Sequence, residues 1–209
     1  MKKMLLIAFI AITLFSTEIL AGENLDKDAL NTESFGFYVG LDVLKDSHSF
    51  TADSHKLSSF STNIDSNSFK IKLGATTDNG WRLQGYVEFI TYDETLFDAS
   101  NDELLEFGIE VIKGFQIAPK WSPFIQVGMG SGVMTIEGYD EDSISEFNFK
   151  IGIGVAYKII PAFELIAGAD LQYRTWQDIS FLSADFLETY TVSIHETNTK
   201  LYVGANFHF

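Results

Sequence analysis

Residues Thr199 to Phe209 alternate apolar with polar or small side chains without interruption, and that pattern constrains the fold more than any other in the chain. Side chains on a strand point to opposite faces in turn, so Leu201, Val203, Ala205, Phe207 and Phe209 make one wholly apolar face. Lys200, Tyr202, Gly204, Asn206 and His208 make the other. One face suits lipid and the other a polar interior. A strand in hydrocarbon cannot leave its backbone unpaired, so such a strand belongs in a closed barrel.

The remaining chain supplies the other staves. Period-2 alternation marks strands over 35–44, 69–77, 81–92, 104–117, 121–136, 146–159 and 163–176, which with 199–209 makes eight. Short connections at Asp78-Asn79-Gly80, Ala118-Pro119-Lys120 and Ile160-Pro161-Ala162 alternate with long ones over 45–68, 93–103, 137–145 and 177–197. In an up-and-down barrel this rhythm puts every short turn at one rim and every long loop at the other, as in outer-membrane barrels. Aromatic residues gather near strand ends, at Phe35, Trp81, Tyr92, Trp121, Phe163, Tyr173, Trp176, Phe207 and Phe209, as interfacial girdles require. The expected fold is all-β: an eight-stranded antiparallel up-and-down transmembrane β-barrel over residues 35–209.

The amino terminus specifies export. Lys2 and Lys3 precede an apolar stretch from Met4 to Phe15, and Ala21 offers a small residue for cleavage, so residues 1–21 read as a signal peptide. The apolar stretch is shorter than the roughly 20 residues a spanning helix needs. Residues 22–34 are polar and acidic and read as a flexible periplasmic leader. Cysteine is absent, which excludes disulfides and thiolate chemistry. The net charge is −15, and losing Lys2, Lys3 and Glu18 with the signal peptide takes it to −16, the wrong sign for nucleic acid.

These features resemble the small eight-stranded outer-membrane barrels: the OmpA transmembrane domain, OmpX and the opacity-type surface proteins. The resemblance covers residues 35–209. Its sharpest element is the carboxy-terminal signal read by the barrel assembly machinery, whose positions are filled here by Tyr202, Gly204, Phe207 and Phe209. It implies a bacterial outer-membrane location with both termini periplasmic, and contact with membrane lipid and lipopolysaccharide.

Even-numbered residues face inward in this reading. The lumen would hold a charge network of Asp42, Lys70, Lys72, Arg82, Glu88, Glu106, Glu110, Lys150, Glu164, Asp170, Arg174 and Lys200. Eight strands leave room only for side chains to fill, so these charges should pair and plug the barrel. A narrow or gated diffusion pore is the alternative, opened by breaking a pair such as Arg82 with Glu106 or Glu110. Gly128, Gly130, Gly132, Gly152, Gly154 and Gly168 would either leave room or let Tyr86 and Phe124 pack across. Lys113 falls on the lipid-facing register of its strand, which calls for a bulge near Gly114 or for snorkelling toward the rim.

The long loops carry the candidate surface chemistry. The second to fourth are acidic without a basic residue: Asp93, Glu94, Asp98, Asp102 and Glu103; Glu137, Asp140, Glu141 and Asp142; Asp178, Asp185, Glu188 and Glu196. Such carboxylates suit a solvated repulsive surface, or divalent cations bridging to lipopolysaccharide. The first loop is rich in Ser and Thr and holds His48, Phe50, His55 and Phe60, a composition suited to adhesion or protein contact. Catalysis would need His48 with Ser47 or Ser49, or His195 with Ser193 and Glu196, and neither set has an oxyanion donor in view. The expectation is a non-enzymatic surface protein with no cofactor and no metal.

Overall fold

The computed structural model describes residues 35–54, 60–96, 102–135, 143–182 and 189–209. The signal peptide and leader assigned to residues 1–34, along with His55 and the acidic residues Asp98, Glu137, Asp140, Glu141, Asp142, Asp185 and Glu188, lie outside the described residues.

Eight long strands close the barrel: β1 (Phe35–Ser54), β2 (Phe60–Thr77), β3 (Trp81–Tyr92), β4 (Glu103–Gly114), β5 (Trp121–Thr135), β6 (Ser143–Ile160), β7 (Phe163–Trp176) and β9 (Thr189–His208). A four-residue strand, β8 (Ile179–Leu182), pairs with the upper end of β9 beyond the end of β7. Each of the eight long strands pairs antiparallel with the next long strand around the ring, and β9 closes it on β1. At the β2–β3 turn Gly80 adopts φ +86°, a conformation glycine takes without strain, and its amide donates to the Thr77 carbonyl at 3.0 Å.

The register fixes the geometry. Hydrogen-bonded partners run from Leu41 through Ile71, Val87, Phe107, Ser131, Phe147, Thr175 and His195, and return to β1 at Thr51, ten residues on. For eight strands that stagger tilts each strand about 40° from the barrel axis, inside the usual range.

The outer surface inverts the usual soluble pattern. Phe37, Val43, Leu73, Phe107, Ile153, Leu201 and Val203 are exposed, and they belong to a continuous outward band of aliphatic and aromatic side chains. Projected along the tilted strands, the band is about 25 Å tall, the height of an outer-membrane hydrocarbon zone. On the long-loop side the outward residues turn polar at Lys45, Asn67, Thr91, Glu103, Ser145, Thr175 and Thr199.

Three strands are longer than alternation of apolar residues indicates. β1 continues to Ser54, β2 starts at Phe60 and β9 starts at Thr189, so most of the expected first loop and part of the fourth are strand. Above the band the outward positions become Ser, Thr and Asn while inward Asp46 and His48 are polar too. The hydropathy period vanishes there although the hydrogen-bond ladder continues. β4 ends at Gly114, beyond which the Phe115 amide still donates to the Pro123 carbonyl at 2.8 Å, and residues 115–120 make the connection to β5.

Candidate functional site: the filled lumen and the two rims

Inward positions alternate along every strand, so residues far apart in sequence converge on the barrel axis. All twelve charges of the expected network point inside, and all are buried except Arg82, which is partly buried at the short-turn end. They form tiers. Lys72 pairs with Asp42 at 2.7 Å, and Glu110 receives Lys150 at 2.5 Å and Lys70 at 3.4 Å. Higher up, Lys200 pairs with Glu88 at 2.6 Å and Ser68 donates to the same carboxylate at 2.7 Å. Among the described residues Asp170 has no cation within ion-pair distance and instead accepts from the Gln126 amide at 2.6 Å. Arg82 does not reach Glu106 or Glu110. It forms a two-pronged pair with Glu164, because the tilt carries its strand end down to the start of β7.

The uppermost tier centres on Arg174, whose guanidinium serves three carboxylates from three strands. Nη2 meets Glu106 at 2.7 Å, Nε meets Glu146 at 3.1 Å, and Nη1 contacts Glu196. Glu196 also receives the Trp176 indole at 2.9 Å and contacts His48 Nδ1 at 2.5 Å. Sequence reasoning placed Glu196, His48, Asp46 and Glu146 in loops or left them out of the network. They sit inside the barrel, and continued even-number parity was the signal that could have found them. Tyr92 and Trp176 likewise point inward rather than into a girdle.

Two apolar layers bracket these tiers. Toward the long-loop end Phe50, Ile64, Ile90, Tyr92, Leu96, Leu104, Met134, Ile144, Trp176 and Ile194 form one buried cluster. Toward the other end Leu44, Ile112, Phe124, Ala156, Ile166 and Tyr202 form a second. Phe124 fills the space beside Gly154 and Tyr86 lies over Gly130, so these inward glycines receive rings. A vestibule of about 420 Å³ opens below the lower layer, with Arg82, Lys158, Glu164 and His208 in its lining. Packing and charge pairing thus fill the lumen, with most of its charged groups desolvated and paired.

The catalytic sets expected as alternatives do not assemble. His195 faces outward beside Tyr173, while Glu196, next in sequence, faces inward. Ser193 donates to Asp178 at 2.7 Å. His48 does bridge Ser66, 2.7 Å from Nε2, and Glu196, but all three are at most 1% exposed beside the upper apolar layer. The contact ties β1, β2 and β9 together. Among the described residues no group of three or more potential ligands could hold a metal ion.

The rims differ in charge. At the long-loop end Asp93, Glu94, Glu103 and Asp178 are exposed, and Lys45 meets Asp93 at 3.3 Å. At the short-turn end Lys113 reaches down from its outward position to the Asn79 carbonyl at 2.6 Å, which is snorkelling without a bulge: β4 stays in register through Gly114. Of the carboxy-terminal signal positions, Tyr202 faces the lumen, Phe207 and Phe209 face outward, and Gly204 lies against β1. A Cβ at Gly204 would run into Asp42 Oδ1 and the Leu41 carbonyl.

Comparison with known proteins agrees with this architecture. A family model described as "Outer membrane protein beta-barrel domain" matches residues 7–209. The outer membrane protein OprG from Pseudomonas aeruginosa superposes with a TM-score of 0.51 at 8% identity, covering 85% of this chain and 97% of that one. Neisserial surface protein A (NspA) gives 0.49 at 20% identity, covering 85% and 100%. Ail of Yersinia pestis, solved in complex with the heparin analogue sucrose octasulfate, gives 0.39 at 17% identity, covering 83% and 99%. No curated protein matches the chain.

Proposed function

The chain belongs to the outer-membrane β-barrel family, and from that premise we propose that it is a non-enzymatic surface protein whose sealed barrel anchors an acidic extracellular rim. The observation that carries this reading is the filled lumen, in which buried, paired charges lie between two apolar layers. A barrel that cannot conduct acts through its outside. The short-turn end, with both termini, faces the periplasm, and the long-loop end faces outward, where Asp93, Glu94, Glu103 and Asp178 meet lipopolysaccharide, a host surface or another protein. Divalent cations supply the bridge wherever the partner is itself anionic. The barrel assembly machinery reads Tyr202, Gly204, Phe207 and Phe209, and the lumenal network holds the finished barrel shut.

The test is ion conductance of the refolded chain, residues 22–209, across a planar bilayer, with heat-modifiable gel mobility as the control for folding. A folded, silent barrel is expected. Discrete channel openings would overturn the sealed reading in favour of a gated pore. Neutralising Asp93, Glu94, Glu103 and Asp178 to their amides should then change adhesion of whole cells expressing the protein, and unchanged adhesion would remove the acidic rim from the function.

A further inference from the structure

The mouth of the barrel at the short-turn end holds a cavity that the sealed-barrel reading does not use. It is the vestibule of about 420 Å³ below the lower apolar layer, and Ala156 belongs to both. That volume lies in the range of small-molecule sites, roughly 300–1,000 Å³. Two lysines line it. Trp121 is opposite Tyr157 in the β5–β6 register, so the next pair toward the mouth sets Lys120 against Lys158, and the Lys158 amide donates to the Lys120 carbonyl at 2.8 Å. Both lysines fall on the even-numbered, inward parity, the face opposite to Trp121 and Tyr157. Like charges directly opposite on a strand pair destabilise it.

The carboxylate that could relieve them is committed elsewhere. Glu164 is opposite Lys158 in the β6–β7 register, but it holds Arg82 in a two-pronged pair, accepts from the Asn206 amide at 2.8 Å and meets His208 Nε2 at 3.3 Å. Among the described residues neither lysine has a carboxylate within ion-pair distance, and both are exposed to the cavity. The second carboxylate of the lining is Asp78, on the β2–β3 turn. Three permanent cations, Arg82, Lys120 and Lys158, thus face two carboxylates, Asp78 and Glu164. Ser122 and Gln116 add a hydroxyl and a carboxamide to the wall, neutral groups that donate to oxyanions.

We propose that the vestibule is a binding site for a small phosphate monoester, with its phosphate between Lys120 and Lys158 and its polar body in the rest of the cavity. A phosphate monoester carries close to two negative charges at neutral pH, which matches two adjacent ammonium groups, whereas a carboxylate carries one. Lysine binds phosphate as a point charge and needs no planar partner. That the ligand comes from the periplasm rests on the orientation proposed above, while the site itself does not depend on it.

Isothermal titration calorimetry of the full chain, refolded in uncharged detergent micelles, tests it with glycerol 3-phosphate and glucose 6-phosphate as probes, against inorganic phosphate and glucose. Both esters should bind saturably and glucose should not. Affinity should fall about tenfold in the Lys120→Gln/Lys158→Gln variant and severalfold in about 0.5 M salt. It should be unchanged in Lys113→Gln, because that ammonium is at the same rim but starts from the outward face. No saturable heat with either ester, or an unchanged affinity in a double variant that keeps its folded gel mobility, would overturn the site. Inorganic phosphate binding as tightly as the esters would overturn the ester assignment in favour of free phosphate. Binding in micelles is read apart from conductance and adhesion, so its failure leaves the surface-protein reading intact, and channel openings with ester binding preserved would overturn that reading and not the site.

Discussion

Replacing Arg174 with Met should be among the most damaging single changes in the barrel. The guanidinium is fully buried and partners Glu106 at 2.7 Å, Glu146 at 3.1 Å and Glu196, and it donates to the Tyr92 hydroxyl at 3.0 Å. Removing one partner of a buried ion pair costs about 3–5 kcal/mol, chiefly because the other charge is left desolvated and alone. Here three carboxylates lose the same cation. His48 and the Trp176 indole still serve Glu196, and Gln172 and Tyr86 still serve Glu106, so the loss does not multiply by three. An unfolding free energy lowered by about 4 kcal/mol is expected, read from urea titration in vesicles by gel mobility and tryptophan fluorescence. Lys45→Ala is the matched control, because its pair with Asp93 is half exposed and should cost no more than about 0.5 kcal/mol. The Arg174→Met defect should shrink as the pH falls into the carboxylate range, since protonated acids need no cation. A variant within about 1 kcal/mol of the unsubstituted protein would refute the view that this tier clamps the upper barrel.

Other outcomes follow from the same geometry. Gly204→Ala should lower refolding yield in detergent micelles, where no assembly machinery is present, because its Cβ would meet β1 at the closing seam; full yield there would leave Gly204 a recognition residue only. Ile109→Lys, on the same outward face as Lys113 but two pleat repeats further from the rim, should cost about 2–4 kcal/mol, whereas Lys113→Leu should stay within about 1 kcal/mol. Equal tolerance at both positions in urea titration would contradict the placement of the band. Met134→Ala, which empties a fully buried position in the upper apolar layer, should cost about 2–4 kcal/mol in the same titration, and a neutral result would mean that this layer is loosely packed.

Much of this architecture was legible in the chain. The parity of β9 and of its neighbours, the signal of alternating short and long connections, and the outward apolar positions follow from the two-residue period of a strand, a local property that needs no knowledge of partners. The twelve charges could be placed inside for the same reason, and Lys113 could be flagged as anomalous on its face. Parity read only where hydropathy alternates stops too early, however. His48, Asp46 and Glu196 continue the inward series, but their strands rise above the lipid zone, where both faces are polar and the pattern fades. Tyr92 and Trp176 were assigned to girdles by residue type, although their even positions turn them inward onto the upper layer.

Sequence by itself determined which face of each strand meets lipid, because that choice is made residue by residue along one chain. Tertiary structure alone decided which inward charges meet. Partners across the lumen are set by the ten-residue stagger accumulated around the ring, which sends Arg82 to Glu164 rather than to the glutamates of neighbouring β4 and gathers Glu106, Glu146 and Glu196 on Arg174. No local pattern encodes that stagger, since it is a sum over every strand pair and exists only once the barrel has closed.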